Sequence, residues 1–218
     1  MKVLVACEES QRVCIAFRER GHEAFSCDIQ DCSGGHPEWH IKGDCIAEIM
    51  RGGYDLIIAH PPCTYLSNAA TRSFSTRVTP AEKVIARWEE RAKAAVFFMR
   101  ILESDCPRIA VENPVGFMNT AYRKPDQIIH PWMWAESEAD TENYKTKRTC
   151  LWLKGLPLLK PNGLCEPPNN AETYGRRKGS GKVRNWCEDC IAASGEERAK
   201  LRSKTFPGIA AAFAEQWG

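Results

Sequence analysis

The residues best suited to chemistry stand just past apolar runs. His60-Pro61-Pro62-Cys63 follows Leu56–Ala59, and Glu112-Asn113-Pro114 follows Ile109–Val111. Paired prolines fix the backbone and withhold its donors, so a cysteine after them is presented rigidly, as a nucleophile requires. A carboxyl group beside such a thiol is a general acid where burial raises its pKa. The bland alternatives are a packing thiol, since cysteine is often buried, and an ordinary turn glutamate. Two more runs end in polar residues: Lys2–Ala6 leads into Cys7-Glu8-Glu9-Ser10, and Glu23–Cys27 leads into Asp28. Asp28 falls about 20 residues after the first run, where an acid that binds ribose hydroxyls is expected. Asp44, within Gly43-Asp44-Cys45, is a weaker candidate for the adenine end of such a ligand.

Residues like these need a scaffold that gathers strand ends, because open parallel sheets bind ligands beyond the carboxyl ends of their strands. The four runs read as buried strands. A helix is expected over 11–20, stopped by Gly21, and a long one opens at Pro80 with Thr79 as its N-cap. The apolar face of that long helix reads as Val84, Ile85, Trp88, Ala92, Ala95, Val96, Met99 and Leu102. Alternation of this kind predicts a doubly wound, Rossmann-like α/β fold with a mostly parallel sheet. Further on, Thr149–Leu153 reads as a strand, 155–186 as an irregular stretch rich in Pro, Gly and Asn, and Pro207–Trp217 as a helix. Trp132, Trp134 and Trp152 read as core, and His36 and His40 as loop residues.

At 218 residues, 43% hydrophobic and 27% charged, the chain suits one α/β domain with a small lobe. A net charge of +2 points to no class of partner, so only local patches can. No stretch is apolar enough to span a bilayer, and the first residues lack a signal-like apolar core. Eleven cysteines, an odd number, read as reduced thiols of a cytoplasmic protein. Cys187-x-x-Cys190 with Cys165 falls one ligand short of a closed zinc site, so no metal is expected.

The ordered pair Pro-Pro-Cys and Glu-Asn-Pro resembles the cytosine-C5 DNA methyltransferase family, whose motifs are a Pro-Cys nucleophile and a Glu-Asn-Val acid. Val3–Ser10, Asp28-Ile29-Gln30 and Gly43-Asp44-Cys45 stand where that family contacts its cofactor. Residues 145–153 (KTKRTCLWL) resemble its later basic strand, and 204–217 (KTFPGIAAAFAEQW) its last motif. The pattern is similar to the compact members found in bacteriophages and mobile elements. Two departures stand out. The first loop has no glycine, and only about fifty residues separate the basic strand from the last motif, where the family usually carries a large target-recognition domain.

The resemblance implies an S-adenosyl-L-methionine (SAM) dependent enzyme acting on DNA, monomeric and cytoplasmic (in the host, if phage-encoded). Residues 1–154 would form the SAM-binding catalytic domain, 155–203 a reduced recognition lobe, and 204–218 a helix returning to the catalytic domain. Cys63 would attack cytosine C6, with Glu112 assisting at N3 and Arg148 contacting the base. Ala6, Cys7, Glu8, Ser10, Asp28, Ile29, Asp44, Cys45 and Pro61 would hold SAM. Pro62, Ser67 and Asn113 would meet the substrate. Arg72 and Arg77, in the loop 64–79, and Arg176, Arg177 and Lys178 would meet phosphates. The alternatives are pyrimidine-C5 methylation of RNA or a free nucleotide, amino methylation of a base, and a catalytically inactive DNA-binding relative.

Overall fold

The computed structural model describes residues 1–184 and 202–218; Cys187 and Cys190 therefore lie outside the described residues. Its strands are β1 (Lys2–Ala6), β2 (Glu23–Asp28), β3 (His40–Lys42), β4 (Leu56–Ala59), β5 (Ile109–Pro114), β6 (Gln127–Ile129) and β7 (Thr149–Lys154). They form one sheet in the order β3-β2-β1-β4-β5-β7-β6. The pairs β1–β2, β2–β3, β1–β4 and β4–β5 are parallel, while β7 runs antiparallel to β5 and β6. This is the doubly wound, Rossmann-like α/β architecture expected from the sequence. The strand order reverses between β1 and β4, which opens a crevice at their carboxyl ends.

The helices are α1 (Arg12–Glu19), α2 (Cys45–Arg51), α3 (Ala81–Leu102), α4 (Met118–Ala121), α5 (Asn170–Thr173) and α6 (Pro207–Trp217). Alternation along β1 divides the core in two, because successive side chains of a strand face opposite ways. Val3 and Val5 pack with Phe17 of α1 and with Phe213 and Trp217 of α6. Leu4 and Ala6 pack with Ile46 and Ile49 of α2, Phe98 and Ile101 of α3, and Trp152 of β7. Trp152 and Trp134 are buried, as read from the sequence, and Trp132 is half-buried. Among the described residues no helix is long and apolar enough to cross a membrane.

Several local readings change. Pro80 is itself the cap of α3 (ψ 143°), so Thr79 lies one residue outside. The buried face of α3 is Val84, Arg91, Ala95, Phe98, Ile101 and Leu102, whereas Ile85, Trp88 and Val96 are 47–61% exposed. The helix is rotated from the purely apolar reading because Arg91 is turned inward. His40 is not a loop residue but opens β3, where its Nδ1 meets the Ser26 hydroxyl at 2.8 Å.

The loop after β4 is fastened to the end of β5. The Phe117 N–H donates to the Leu66 carbonyl at 2.7 Å, and Ser67 bridges to Gly116. A methyl group on Gly116 would meet that carbonyl oxygen at 2.0 Å. Because the obstacle is backbone, Gly116→Ala is expected to cost about 1–3 kcal/mol. Thermal melting should register the loss, and an unchanged midpoint would mean the loop is not seated there.

Candidate active site

Register aligns the site. Ala6 pairs with Cys27 on one side and with Ala59 on the other, and Ala59 pairs with Val111. The next residue on each strand is therefore level with the others: Asp28, Cys7, His60 and Glu112, side by side across the crevice. Cys63 follows three residues later. Its carbonyl accepts from the N–H groups of Leu66 (3.1 Å) and Ser67 (2.9 Å), which closes a tight turn. Beneath it, the Asn113 amide donates to the Pro61 carbonyl at 2.7 Å and ties the two strand-end motifs together. Asn113 is only 2% exposed, so it braces these motifs and does not face solvent.

The glycine-free first loop reaches a glycine-like conformation by other means. Cys7 (φ 59°) and Gln11 (φ 58°) both occupy the left-handed region, which costs a non-glycine residue of order 1 kcal/mol each. Side-chain hydrogen bonds hold them there. The Gln11 amide donates to the His36 carbonyl (2.8 Å) and Ser26 Oγ (3.2 Å), and its oxygen accepts from the His36 N–H (3.1 Å). The Glu8 carboxylate accepts from the N–H groups of Val13 (2.7 Å) and Cys14 (3.2 Å), where a helix start favours negative charge. Burial nonetheless pushes the Glu8 carboxyl above its ordinary pKa.

Two adjoining recesses open on Asp28, Cys7 and His60 of this row, while Glu112 lines neither. One, of about 460 Å³, is lined by Cys7, Glu8, Glu9, Ser10, Asp28, His60, Pro62, Cys63 and Thr64, with Arg202, Ser203 and Thr205 from the returning chain. The other, of about 360 Å³, is mostly apolar and is lined by Cys27, Ile29, Cys45, Tyr65, Ala94 and Phe97, with Asp28 and Asp44 at its edge. Cys7, which lines both recesses, meets Cys45 of the apolar one sulfur to sulfur at 3.5 Å. Ile29 is 76% exposed, Ala6 and Pro61 are buried behind the lining, and Asp44 also caps α2 through the Ile46 N–H. A larger cavity of about 700 Å³ lies around Tyr54, Arg100 and Cys106, and holds none of the residues in this row.

The electrostatics revise one sequence reading. Burial pushes the Glu112 carboxyl up, but the hydrogen bond from His60 and the charge of Lys147 outweigh it, so its pKa lies below the ordinary value. The His60 Nδ1 is 3.0 Å from Glu112 Oε2, and both side chains are largely buried. Cys63 is exposed to solvent yet walled by protein. Its thiol is pushed up by that burial and then by the Glu112 charge, with Lys147 pulling the other way. Lys147 is thus the cation whose field reaches both groups. Arg148 is exposed, and its charge acts on His130 and Cys150.

The other named residues are spread more widely. Ser67 lies in the Cys63 turn, and Arg72 and Arg77 are exposed on the loop beyond it. Arg176, Arg177 and Lys178 form a turn bridged from Arg176 to Val183, and none of them lines either recess. Cys165 donates to the Ala135 carbonyl at 3.5 Å, and the described residues hold no cluster of three or more metal-type side chains. Sequence reasoning missed His60, Lys147 and Gln11 as site-forming residues. His60 was visible only as the first letter of its motif.

No protein-family model matches this chain, and no curated protein does. Solved structures do. A candidate DNA modification methyltransferase encoded within an E. coli prophage has 14% identity and a TM-score of 0.44, over 82% of this chain and 56% of that one. The methyltransferase EhMeth of Entamoeba histolytica has 13% identity and a TM-score of 0.44, over 72% and 53%. The Dnmt2 methyltransferase of S. pombe has 13% identity and a TM-score of 0.45, over 87% and 60%. The chain spans just over half the length of these proteins. Likeness at this level assigns no activity, which must rest on the site itself.

Proposed function

We propose that this protein transfers a methyl group from SAM to C5 of cytosine in DNA, with Cys63 as the nucleophile. The observation that carries the proposal is the level row of Asp28, Cys7, His60 and Glu112 at the switch point, with Cys63 turned over it. The residues fit the cofactor. One Asp28 oxygen accepts from the Gln30 N–H at 2.9 Å, which leaves the other for ribose hydroxyls. The apolar recess suits an adenine ring, with Ile29, Asp44 and Cys45 at its wall. Glu9 Oε1 is buried without a hydrogen-bond partner among the described residues and suits the amino group of the methionine part.

Cytosine C5 is a poor nucleophile, so the ring must first gain electron density. The Cys63 thiolate bonds to C6, and Glu112 hydrogen-bonds and protonates N3, giving C5 enamine character. Glu112 starts as a carboxylate and must take up a proton to do this; His60 is the group placed to deliver one. SAM, when bound, supplies the methyl group that C5 takes up. Solvent then takes the C5 proton, its bonding electrons re-form the C5–C6 double bond and expel the Cys63 thiolate, and N3 returns its proton to Glu112. In a duplex the base must be extruded to reach the thiol, and the loop 64–79 is the element that would close over it.

The test is to incubate protein, duplex DNA and methyl-labelled SAM, digest the DNA and identify the nucleoside. 5-Methylcytosine supports the proposal. An N-methylated base would favour an amino methyltransferase, and label only in RNA or free nucleotide would move the same chemistry to another substrate.

A pH effect separates the two basic neighbours. Lys147 lowers the thiol pKa, so Lys147→Met should raise it and move the ascending limb of kcat/KM, where the thiolate forms, to higher pH, while Arg148→Met leaves that limb in place. A shift in the Arg148 variant alone would contradict this placement.

A further inference from the structure

Beyond the Cys63 turn lies a cluster of positive charge that the chemistry above does not use. Arg87 and Arg91 are four residues apart on α3 and so share one face. Arg91 is 7% exposed, and its Nε donates to the Tyr65 carbonyl at 2.8 Å, two residues past Cys63. Its guanidinium carbon lies 3.4 Å from the Phe74 ring centroid and 4.8 Å from those of Trp88 and Phe117. The half-buried Arg87 lies 5.1 Å from Phe74 and 5.2 Å from Tyr65, and its buried Nε has no hydrogen-bond partner among the described residues.

Among the described residues neither arginine forms an ion pair, and the nearby Glu90 is engaged with Lys93 at 2.7 Å. Arg91 is perturbed by burial and by the like charge of Arg87, with no acid contributing. Two like charges at this spacing, partly withdrawn from water, weaken a helix unless an anion joins them. Stacking on rings explains how the planar groups are held, but it does not neutralise them. Trp88, 47% exposed, keeps one side of this frame open to solvent.

We propose that Arg87 and Arg91, set in this aromatic frame, form an anion site that takes a phosphate group next to the target base and so draws the substrate to Cys63. The proposal rests on the nucleic-acid reading above. The phosphate comes from a DNA strand or from a free nucleotide, and experiment separates the two.

The test uses the full chain carrying Cys63→Ala, so that binding is read without chemistry. Affinity for a short fluorescent oligonucleotide containing cytosine is measured by anisotropy between about 50 and 200 mM salt, with deoxycytidine monophosphate and inorganic phosphate as competitors. Arg87→Gln should weaken binding about 5-fold or more at the low-salt end and lower the salt slope by about one. Arg91→Lys, which keeps the charge and loses the planar stack, serves as the second variant, and thermal melting confirms that each is folded.

Unchanged affinity and slope in a folded Arg87→Gln protein would overturn the site. Arg87-dependent binding of the mononucleotide alone would uphold the phosphate site and assign it to a free nucleotide. Loss of methyl transfer is read separately. If wild-type protein makes no 5-methylcytosine but binding still depends on Arg87, the chemistry fails and the anion site stands. If 5-methylcytosine forms and Arg87→Gln binds normally, only the anion site fails.

Discussion

Cys63→Ala should leave a folded protein that still binds SAM and DNA but transfers methyl groups at least about 10³-fold more slowly. Among the described residues that line the recess of about 460 Å³, Cys63 is the exposed thiol, whereas Cys7 is partly buried and meets Cys45 sulfur to sulfur at 3.5 Å. The change should hardly touch stability. Cys63 is exposed, the turn is held by its backbone carbonyl, and surface changes away from special features usually fall within about 0.5 kcal/mol. Labelled methyl transfer and thermal melting together check this. An inactive but unfolded variant would say nothing about the nucleophile, whereas a folded variant with full activity would remove Cys63 from the mechanism.

Glu112→Gln is expected to lower kcat about 10²–10⁴-fold with little change in KM. The amide fits the space and can still accept from His60, but it cannot deliver a proton to N3. Its effect should therefore fall on the chemical step and not on substrate binding. Steady-state kinetics separates the two, and an unchanged kcat would leave Glu112 with only a structural part. The sign of its pH linkage follows from its lowered pKa in the folded protein. A carboxyl of that kind contributes stability above its unfolded pKa, and the contribution is lost as pH falls through the folded value. Melting curves of wild type minus Glu112→Gln should accordingly show the wild type losing ground on acidification.

The sheet was legible where strands are largely apolar runs, as with β1, β2, β4, β5 and β7. Strands β3 and β6 have three residues each and no such signature, because their pairing is imposed by β2 and β7. On α3 the apolar count misled, since Arg91 takes an inward position through its stacking and its bond to Tyr65 while Ile85 and Val96 face out. The motifs that carry the proposed nucleophile and acid stood out in the sequence because their prolines mark strand ends. The resemblance pointed to Arg148 at the base, whereas in the fold it is the charge of its neighbour Lys147 that bears on Cys63 and Glu112. Likewise, a loop without glycine gave no hint that Gln11 and Glu8 hold its left-handed turns.

The most direct test of Cys63 attack at C6 uses DNA in which cytosine carries fluorine at C5. After the sulfur bonds to C6 and C5 is methylated, no C5 proton remains to be lost, so Cys63 cannot be expelled and the protein stays linked to the strand. Intact-mass analysis of a reaction with SAM should find protein plus oligonucleotide plus one methyl group, and peptide mapping should place the link at Cys63. A linkage at another cysteine, or methylated DNA with no covalent complex at all, would contradict the mechanism.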